Sequence, residues 1–411
     1  MNKTKKNKII NDPIYGFITL ERGIIFDLIE HPYFQRLRRI TQLGLSYLVY
    51  PGAYHTRFHH ALGCMYLMKK SIQHIRNKGH EITNEEAEAL KIAILLHDIG
   101  HGPFSHALEH SIVSNISHED LSNLFMNKLN EEFDGKLSLA IQIFNNNHPK
   151  KFLHQLVSSQ LDMDRLDYLK RDSFFTGVTE GNIGTERIIN MLDVVNDELV
   201  IEEKGIYSIE KFLIARRLMY WQVYLHKTVL SAENTLIKIL QRAKVLLQNG
   251  DELFSSSSLR MFLENDYTLN RFSENESLLH SFSELDDHDI YSCIKEWKNH
   301  SDFILSSLCS RILNRKPLKI DIQNTPFSDR DLKEIKNKTK THFNLNDAEV
   351  DYLVFTEKVS NNAYQYSKAR INILMKKGEI KDITEASDQF NIDALNKTIN
   401  KYFLCYPNLS N

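Results

Sequence analysis

The stretch Lys91–His110, KIAILLHDIGHGPFSHALEH, constrains what this chain can fold into more than any other. Ile92–Leu96 is an apolar run with the character of a buried helix, and His97 and Asp98 stand at its end. Gly100, Gly102 and Pro103 cannot continue a helix, so the chain turns there. His101 falls in that turn, and His106 falls in the helix that starts after Pro103. An apolar helix is a rigid platform. An imidazole–carboxylate pair at its buried end, with two more imidazoles just beyond, is how metal sites are constructed. Crowded around a glycine turn, these groups fit a metal site better than a set of hydrogen-bonded core histidines.

The 411 residues can bury a large core in one to three domains. Lys and Arg total 51 against 53 Asp and Glu, a balance that gives no argument for nucleic acid. The one charge run, MNKTKKNK at the N-terminus, reads as a frayed basic tail. No apolar run is long enough for a membrane span, and no signal-peptide core follows the first lysines. Cys64, Cys293, Cys309 and Cys405 are scattered without a pairing pattern, which suits a reducing, cytoplasmic setting. Scarce Gly and Pro, with abundant Leu, Ile, Lys and Glu, indicate a mainly α protein.

In chain order, residues 9–20 read as a short ribbon around Asn-Asp-Pro. Apolar spacing predicts a helix over Phe26–Thr41, with Pro32 near a start. A Pro-Gly turn follows, then a long helix with Arg57 and His60 at its beginning. Asn84–Leu96 is a helix capped by Thr83 or Asn84, and another starts at His118. Residues 152–175 carry LDMDRLDYLKRDSFF. Over 182–213 the sequence predicts a helix and two short strands, DELVIEE and GIYSIE, followed by a long helix from Ser208 through Leu247. RKPLKIDI and YLVFTEKV alternate like strands. The expected organisation is a basic tail and ribbon over 1–24, a helical core over 25–250, and a smaller mixed α/β region over 251–411.

His60, His97, Asp98 and Asp164 together offer imidazole and carboxylate donors, a set suited to Fe, Mn, Ni, Co or Zn rather than to a dedicated magnesium site. Four protein ligands on an octahedral ion leave room for water and a phosphate oxygen. A bound divalent ion brings the pKa of water from about 15.7 to near 7.

The motifs NDPIYG, FQRLRRITQLG, VYPGAYHTRFHHALG, LLHDIGHGPFSH, SHED and DMDRLDYLKRD occur in the order found in a known family. Over residues 8–230 the chain resembles the HD-domain phosphohydrolases. Within them it resembles the deoxynucleoside triphosphate (dNTP) triphosphohydrolases of the type that joins an HD domain to a SAM domain. No SAM domain is expected before residue 8. The resemblance implies an HD-domain helical core and release of triphosphate and deoxynucleoside from a dNTP, the substrate carrying magnesium. It implies metal ligands at His60, His97, Asp98 and Asp164, with His101, His106 and His118 around the phosphates and Asp164 also counted in the catalytic set. Gln42, Arg57, Arg165, Tyr168, Asp172 and Arg216 would hold triphosphate and sugar, and the Tyr168 ring would exclude a 2′-hydroxyl. His106 is the better candidate to protonate the leaving 5′-oxygen, and His118, steadied by Glu119 or Asp120, would support it or His101. Two positions depart from the family. His59 replaces a usual Glu, with consequences for metal preference or proton transfer, and Arg165 replaces a usual Lys, favouring bidentate phosphate contact.

A second set carried over by the resemblance concerns regulation. Lys8, Gln35, Arg38, Arg187, Arg315 and Lys319, with Tyr224 and Lys227 nearby, match positions that bind an activating nucleotide between subunits. Glu30 stands where relatives read guanine with Asp, so a loosely guanine-selective activator, GTP or dGTP, is expected along with a homo-oligomer, dimer or tetramer. Two other readings compete. One is an HD-type nucleotidase or phosphodiesterase, and the other is a nucleotide-binding regulator with a vestigial site.

Overall fold

The computed structural model describes residues 7–104, 108, 111–113, 116–361, 364, 370–388 and 398–409. The fold is mainly α, at 59 % helix, and its strands form small sheets. Strands β1 (Lys8–Asp12) and β2 (Gly16–Leu20) make an antiparallel hairpin. Its turn is held by Asp12, whose Oδ1 accepts from the backbone N–H groups of Ile14 and Tyr15, both at 2.9 Å.

The single helix expected over Phe26–Thr41 is divided. Helix α1 (Ile24–Glu30) stops at His31, which is extended because Pro32 follows it. His31 then caps α2 (Pro32–Gln35), accepting from Tyr33 N–H, and a 3-10 turn completes the segment over Arg36–Arg39. Helices α3 (Arg57–Asn77) and α4 (Asn84–Leu96) are joined by a short loop and pack together. Thr83 and Glu86 close a capping box on α4: Thr83 Oγ1 accepts from Glu86 N–H, and Glu86 Oε2 accepts from Thr83 N–H. Leu90 and Ile92–Leu96 are buried all round, so α4 runs through the centre of the core. Each such side chain contributes roughly 1.5–3 kcal/mol by leaving water.

Helix α5 (His118–Glu132) lies directly on the turn that follows α4. A Cβ at Gly100 would stand 2.3 Å from both His118 O and Ser122 N, so only glycine admits this backbone contact. Ser122 Oγ accepts from Gly100 N–H and donates to the carbonyl of His97, stitching α5 to the turn. Helices α6 (Ser138–Phe144), α7 (Lys151–Val157) and α8 (Met163–Thr176) follow, and α8 packs along α3. Gly177, at φ 75°, ends α8 in the left-handed conformation.

After α9 (Thr185–Ile189), strands β3 (Leu192–Val195) and β4 (Glu198–Glu202) form a hairpin through Asn196 and Asp197, both left-handed. DELVIEE is thus a strand, but GIYSIE is not. It opens α10 (Ile206–Met219), where Ile206, Ile209, Phe212 and Leu213 are buried at helical spacing. The long helix expected to Leu247 is interrupted by a π-helical segment, Tyr220–Tyr224, before α11 (Lys227–Gln248). His226 sets the break, its Nδ1 capping α11 by accepting from Thr228 N–H.

Beyond residue 250, strands β5 (Lys319–Gln323), β6 (Phe355–Asn361) and β9 (Ile399–Tyr406) form one sheet. Strands β7 (Asn372–Leu374) and β8 (Ile380–Asp382) extend the β3–β4 hairpin, β7 lying parallel to β4. One apolar core includes residues from both sides of position 250, from Ile18 to Leu404. The later region also reaches the turn after α4. Asp287 Oδ1 accepts from Phe104 N–H at 2.9 Å, and Asp287 Oδ2 accepts from the N–H and hydroxyl of Thr41. Buried Arg36 donates to the carbonyls of Leu285 and Ile99. Among the described residues, no helix is long and apolar enough to cross a membrane.

Gly100→Ala is expected to destabilise the protein by about 1–3 kcal/mol or more, because the added methyl meets backbone rather than a flexible side chain. Thermal unfolding checks this. An unchanged Tm would show that α5 can retreat from the turn.

Candidate metal centre and its pocket

The α3 N-terminus, the α4 C-terminus and the α8 N-terminus meet, and each delivers donors. Single donor atoms of His60, Cys64, His97 and Asp164 lie within 4.8 Å of one another, as do those of Asp98, His101 and His118. Asp98 joins the two groups. Its Oδ1 is 3.3 Å from His97 Nε2 and 3.4 Å from His101 Nε2, and its Oδ2 is 3.7 Å from His60 Nε2. Asp164 Oδ1 stands 3.1 Å from His60 Nε2 and 3.7 Å from His97 Nε2. The structure therefore brings together the four residues expected as ligands.

The orientation of the rings tests whether they fit an ion. His97 Nδ1 donates to the carbonyl of Ile94 at 2.7 Å, which leaves Nε2 as the donor atom. That Nε2 is buried without a hydrogen-bond partner and faces the two carboxylates. His60 Nδ1 is held by Asp167 Oδ2 at 2.8 Å, and its Nε2 faces Asp164. Imidazoles fixed through one nitrogen and presenting the other to carboxylates are the arrangement of metal ligands with their outer support. The donor set fits a divalent transition metal. Cys64, one turn beyond His60, was not anticipated. Burial pushes its thiol well above the ordinary range, and its Sγ lies 3.5 Å from His60 Nδ1.

The support of His60 runs deeper. Arg171 donates Nε and Nη2 to Asp167 at 2.9 and 3.0 Å, and Nη1 to Asp12 Oδ2 at 2.8 Å. A Cβ at Gly63 would stand 2.0 Å from Asp167 Oδ1, so the α3 glycine admits this pair. Asp167 and Arg171 were readable as an i, i+4 pair on α8. Nothing in the sequence marked Asp12 as their partner.

Electrostatics follow the packing. Burial raises the Asp164 carboxyl, but the His60 and His97 imidazoles that face it overcome this and hold the group far below the usual range. Burial lowers His60, yet Cys64, Asp164 and Asp167 together raise it well above an ordinary imidazole. His97 is likewise raised, burial being outweighed by Asp98 and Asp164. Burial and the nearby Arg57 hold His101 well below. The His101 and His118 rings stack, with centroids 3.9 Å apart. Asp120 closes the Ser117 capping box, and Glu119 Oε1 lies 3.6 Å from His118 Nε2. His106 lies outside the described residues.

The centre opens into a cavity of 710 Å³. Gln42, Arg57, Arg165, Tyr168, Asp172 and Arg216 all line it. Arg57 Nη1 donates to Asp98 Oδ2. Arg165 turns back onto Asp162, the cap of α8, and its Nε is buried without a partner. Arg216 donates to Gln160, and its Nε is unpartnered too, as is Gln42 Oε1. Asp172 accepts from the Tyr224 hydroxyl at 2.8 Å and pairs with His55 Nε2 at 2.7 Å. Tyr224, expected among the regulatory residues, thus belongs to the pocket wall: the π-helical segment turns it inward against Asp172. His55 and Glu233 also belong to this region and were not anticipated. Burial pushes the Glu233 carboxyl up to about 8. His59 bonds locally, within the start of α3. Its Nδ1 accepts from Thr56 N–H at 3.2 Å, closing the cap of α3.

The regulatory candidates form separate groups. Lys8 pairs with Glu30 at 2.6 Å, while Gln35 accepts from Arg38, whose guanidinium covers the Phe58 ring. Arg187 bonds Ser208 and Lys204. Arg315 bonds the carbonyl of Leu48, Lys319 opens β5, and Lys227 opens α11.

The helical fold and the His-Asp centre define an HD-domain protein. The HD domain profile matches residues 57–172, and the HD associated region matches 183–261. The chain belongs to the HD-domain phosphohydrolase family. It is similar to the crystal structure of a phosphohydrolase from Bacteroides thetaiotaomicron, with 53 % identity, a TM-score of 0.95, and coverage of 98 % of this chain and 100 % of that one. The Bacillus subtilis protein YwfO is 31 % identical over 404 residues, 94 % of this chain and 89 % of the relative. The human deoxynucleoside triphosphate triphosphohydrolase SAMHD1 is 32 % identical over 269 residues, covering 54 % of this chain and 42 % of that relative, so the match spans less than half its length.

Metal loading is expected to release protons and to strengthen as pH rises. The raised His60 and His97 retain protons to higher pH in the metal-free protein, and a metal must displace them. Metal content after dialysis at about pH 5.5 and about pH 7.5 checks the sign. His97→Ala and Asp164→Ala should lose the ion at both. Full occupancy in either variant would remove that residue from the ligand set.

Proposed function

We propose that this protein is a metal-dependent hydrolase of deoxynucleoside triphosphates, releasing deoxynucleoside and triphosphate, with nucleotide activation at a subunit interface. The observation that carries the reading is the joining of a His60–His97–Asp98–Asp164 centre to a cavity large enough for a nucleotide and lined by three arginines. Arg57, Arg165 and Arg216 supply charge for a polyphosphate, and two of them keep a buried Nε unpartnered. Asp164, Tyr168 and Asp172 recur every fourth residue on one face of α8, leading from the centre along the cavity. In this reading Tyr168 packs under the sugar and rejects a 2′-hydroxyl, and Asp172 accepts from the 3′-hydroxyl.

When bound, the ion supplies Lewis-acid stabilisation of phosphoryl charge and lowers the pKa of water. His60, His97, Asp98 and Asp164 hold it, and Asp167 fixes the His60 ring. His101, kept neutral by burial and Arg57, hydrogen-bonds at the phosphates while stacked on His118. His106 donates the proton to the leaving 5′-oxygen.

Incubation of the metal-loaded protein with each dNTP should yield tripolyphosphate and deoxynucleoside. Orthophosphate or a nucleoside monophosphate would instead identify a nucleotidase or a phosphodiesterase-like activity. No turnover would leave a nucleotide-binding regulator. His106→Ala should lose about a hundredfold to ten-thousandfold in kcat with metal content unchanged. A near-normal rate would shift the acid role to His118.

For regulation, added GTP or dGTP should increase the mass read by light scattering and shorten any lag in hydrolysis, since a ligand selective for the assembled form favours it by mass action. Arg187→Ala combined with Lys319→Ala should weaken both effects. Mass and rate that are both indifferent to nucleotide would refute the regulatory site alone.

A further inference from the structure

One carboxyl in the cavity has no part in the chemistry described so far. Glu233 lies on α11 and lines the cavity with Gly44, Leu43, Leu225 and Leu230. Among the described residues no hydrogen bond or ion pair reaches it, and burial alone acts on it. Glu233 is half-buried, and a carboxyl that faces a cavity without a protein partner marks a place where a ligand can supply donors. Its position is fixed from two sides. α11 packs on the 3-10 turn Gly44–Leu48, and a Cβ at Gly44 would stand 3.5 Å from Glu233 Oε1. Gly44 also has φ 49°, so a larger residue there would be strained as well as close to the carboxyl.

The order of groups along the cavity says which part of a ligand meets Glu233. Asp164 is at the metal end, and Asp172 is two helical turns further along α8, about 12 Å at 1.5 Å per residue. Tyr224 bonds Asp172, and Leu225, Leu230 and Glu233 follow on the same stretch of chain. At this end of the cavity Leu43, Leu225 and Leu230 stand around the Glu233 carboxyl. Apolar walls around a placed polar group suit a flat heterocycle that must be both stacked and distinguished.

We propose that Glu233 reads the base of the nucleotide, favouring guanine, whose N1–H and 2-amino group present two adjacent donors to the carboxylate formed when Glu233 releases its proton to solvent on binding. This rests on the nucleotide reading of the pocket and adds the residue that sets base preference there. Thymine offers a single imino donor between two carbonyl oxygens, and those oxygens face a carboxylate unfavourably. A site built to satisfy a buried polar group discriminates against ligands that leave it unpaired.

The test separates base reading from hydrolysis. Binding of deoxyguanosine and of thymidine to the metal-loaded protein is measured by ligand-observed NMR or calorimetry, for wild type and for Glu233→Gln and Glu233→Ala. Nucleosides carry no phosphate, so this readout is independent of turnover and of the arginines. Wild type should prefer deoxyguanosine by about tenfold or more, and both variants should reduce the preference to within about threefold, with metal content unchanged. Equal binding in wild type, no nucleoside binding, or a preference that survives both substitutions would overturn the proposal. Tripolyphosphate release from dGTP is measured in parallel. Its absence alongside retained, Glu233-dependent discrimination would fail the hydrolase reading and leave base recognition standing.

Discussion

The geometry of the site depends on one buried ionic contact, the sharing of Arg171 between Asp167 and Asp12. All three side chains are almost completely removed from water. Buried charges are tolerated only when paired and hydrogen-bonded, and removing one partner typically costs about 3–5 kcal/mol. The pair therefore permits little sliding of α8 along α3. Gly63 lets the two helices approach closely enough for it to form. Since Asp167 also holds His60, the same contact that sets helix register sets the direction of an imidazole. Asp164, one turn earlier on α8, then falls opposite His60 without any further adjustment. Asp12 ties the N-terminal hairpin to this arrangement, so a segment outside the helical bundle contributes to the position of the centre.

The turn after α4 is fixed in a complementary way, from outside. α5 presses on Gly100 and takes two hydrogen bonds through Ser122. Asp287 binds Phe104 N–H, which matters because Phe104 has a positive φ of 47° and needs an external contact to stay there. Arg36 adds the Ile99 carbonyl, and its guanidinium lies 5.6 and 5.5 Å from the ring centroids of Phe125 and Phe282. Residues after 250 thus act on the centre through backbone positioning, although none of them supplies a donor atom to it among the described residues.

What the sequence made legible divides along the same line. Local signals were reliable: the apolar run ending in His97 and Asp98, the Thr83 cap and the glycine turn each depend on residues close in the chain. Contacts between distant segments were not legible. Asp12 reads as a turn residue because that is also what it is, and its second oxygen reaches Arg171 only in the fold. His59 was expected to alter metal preference or proton transfer, and its position three residues after Thr56 makes it part of the α3 cap. Tyr224 was set beside the regulatory positions through the family resemblance, and the π-helical segment turns it into the pocket. GIYSIE favoured a strand through its β-branched residues, but burial every three or four residues decided for a helix.

The cavity itself shows why a single helix face can organise a reaction. Asp164, Tyr168 and Asp172 lie on one line along α8, so separations along the ligand are set by helical rise rather than by loop conformation. At one end the carboxylates face imidazoles and arginines. At the other, Asp172 is already satisfied by Tyr224 and His55, while Glu233 is not. A satisfied carboxylate orients a hydroxyl with little change in its surroundings, because its partners are in place before the ligand arrives. An unsatisfied one contributes selectivity, because its free energy depends on what the ligand offers. The two carboxylates thus divide positioning and discrimination between them, and the π-helical break before α11 is what lets one continuous segment supply both Tyr224 and Glu233.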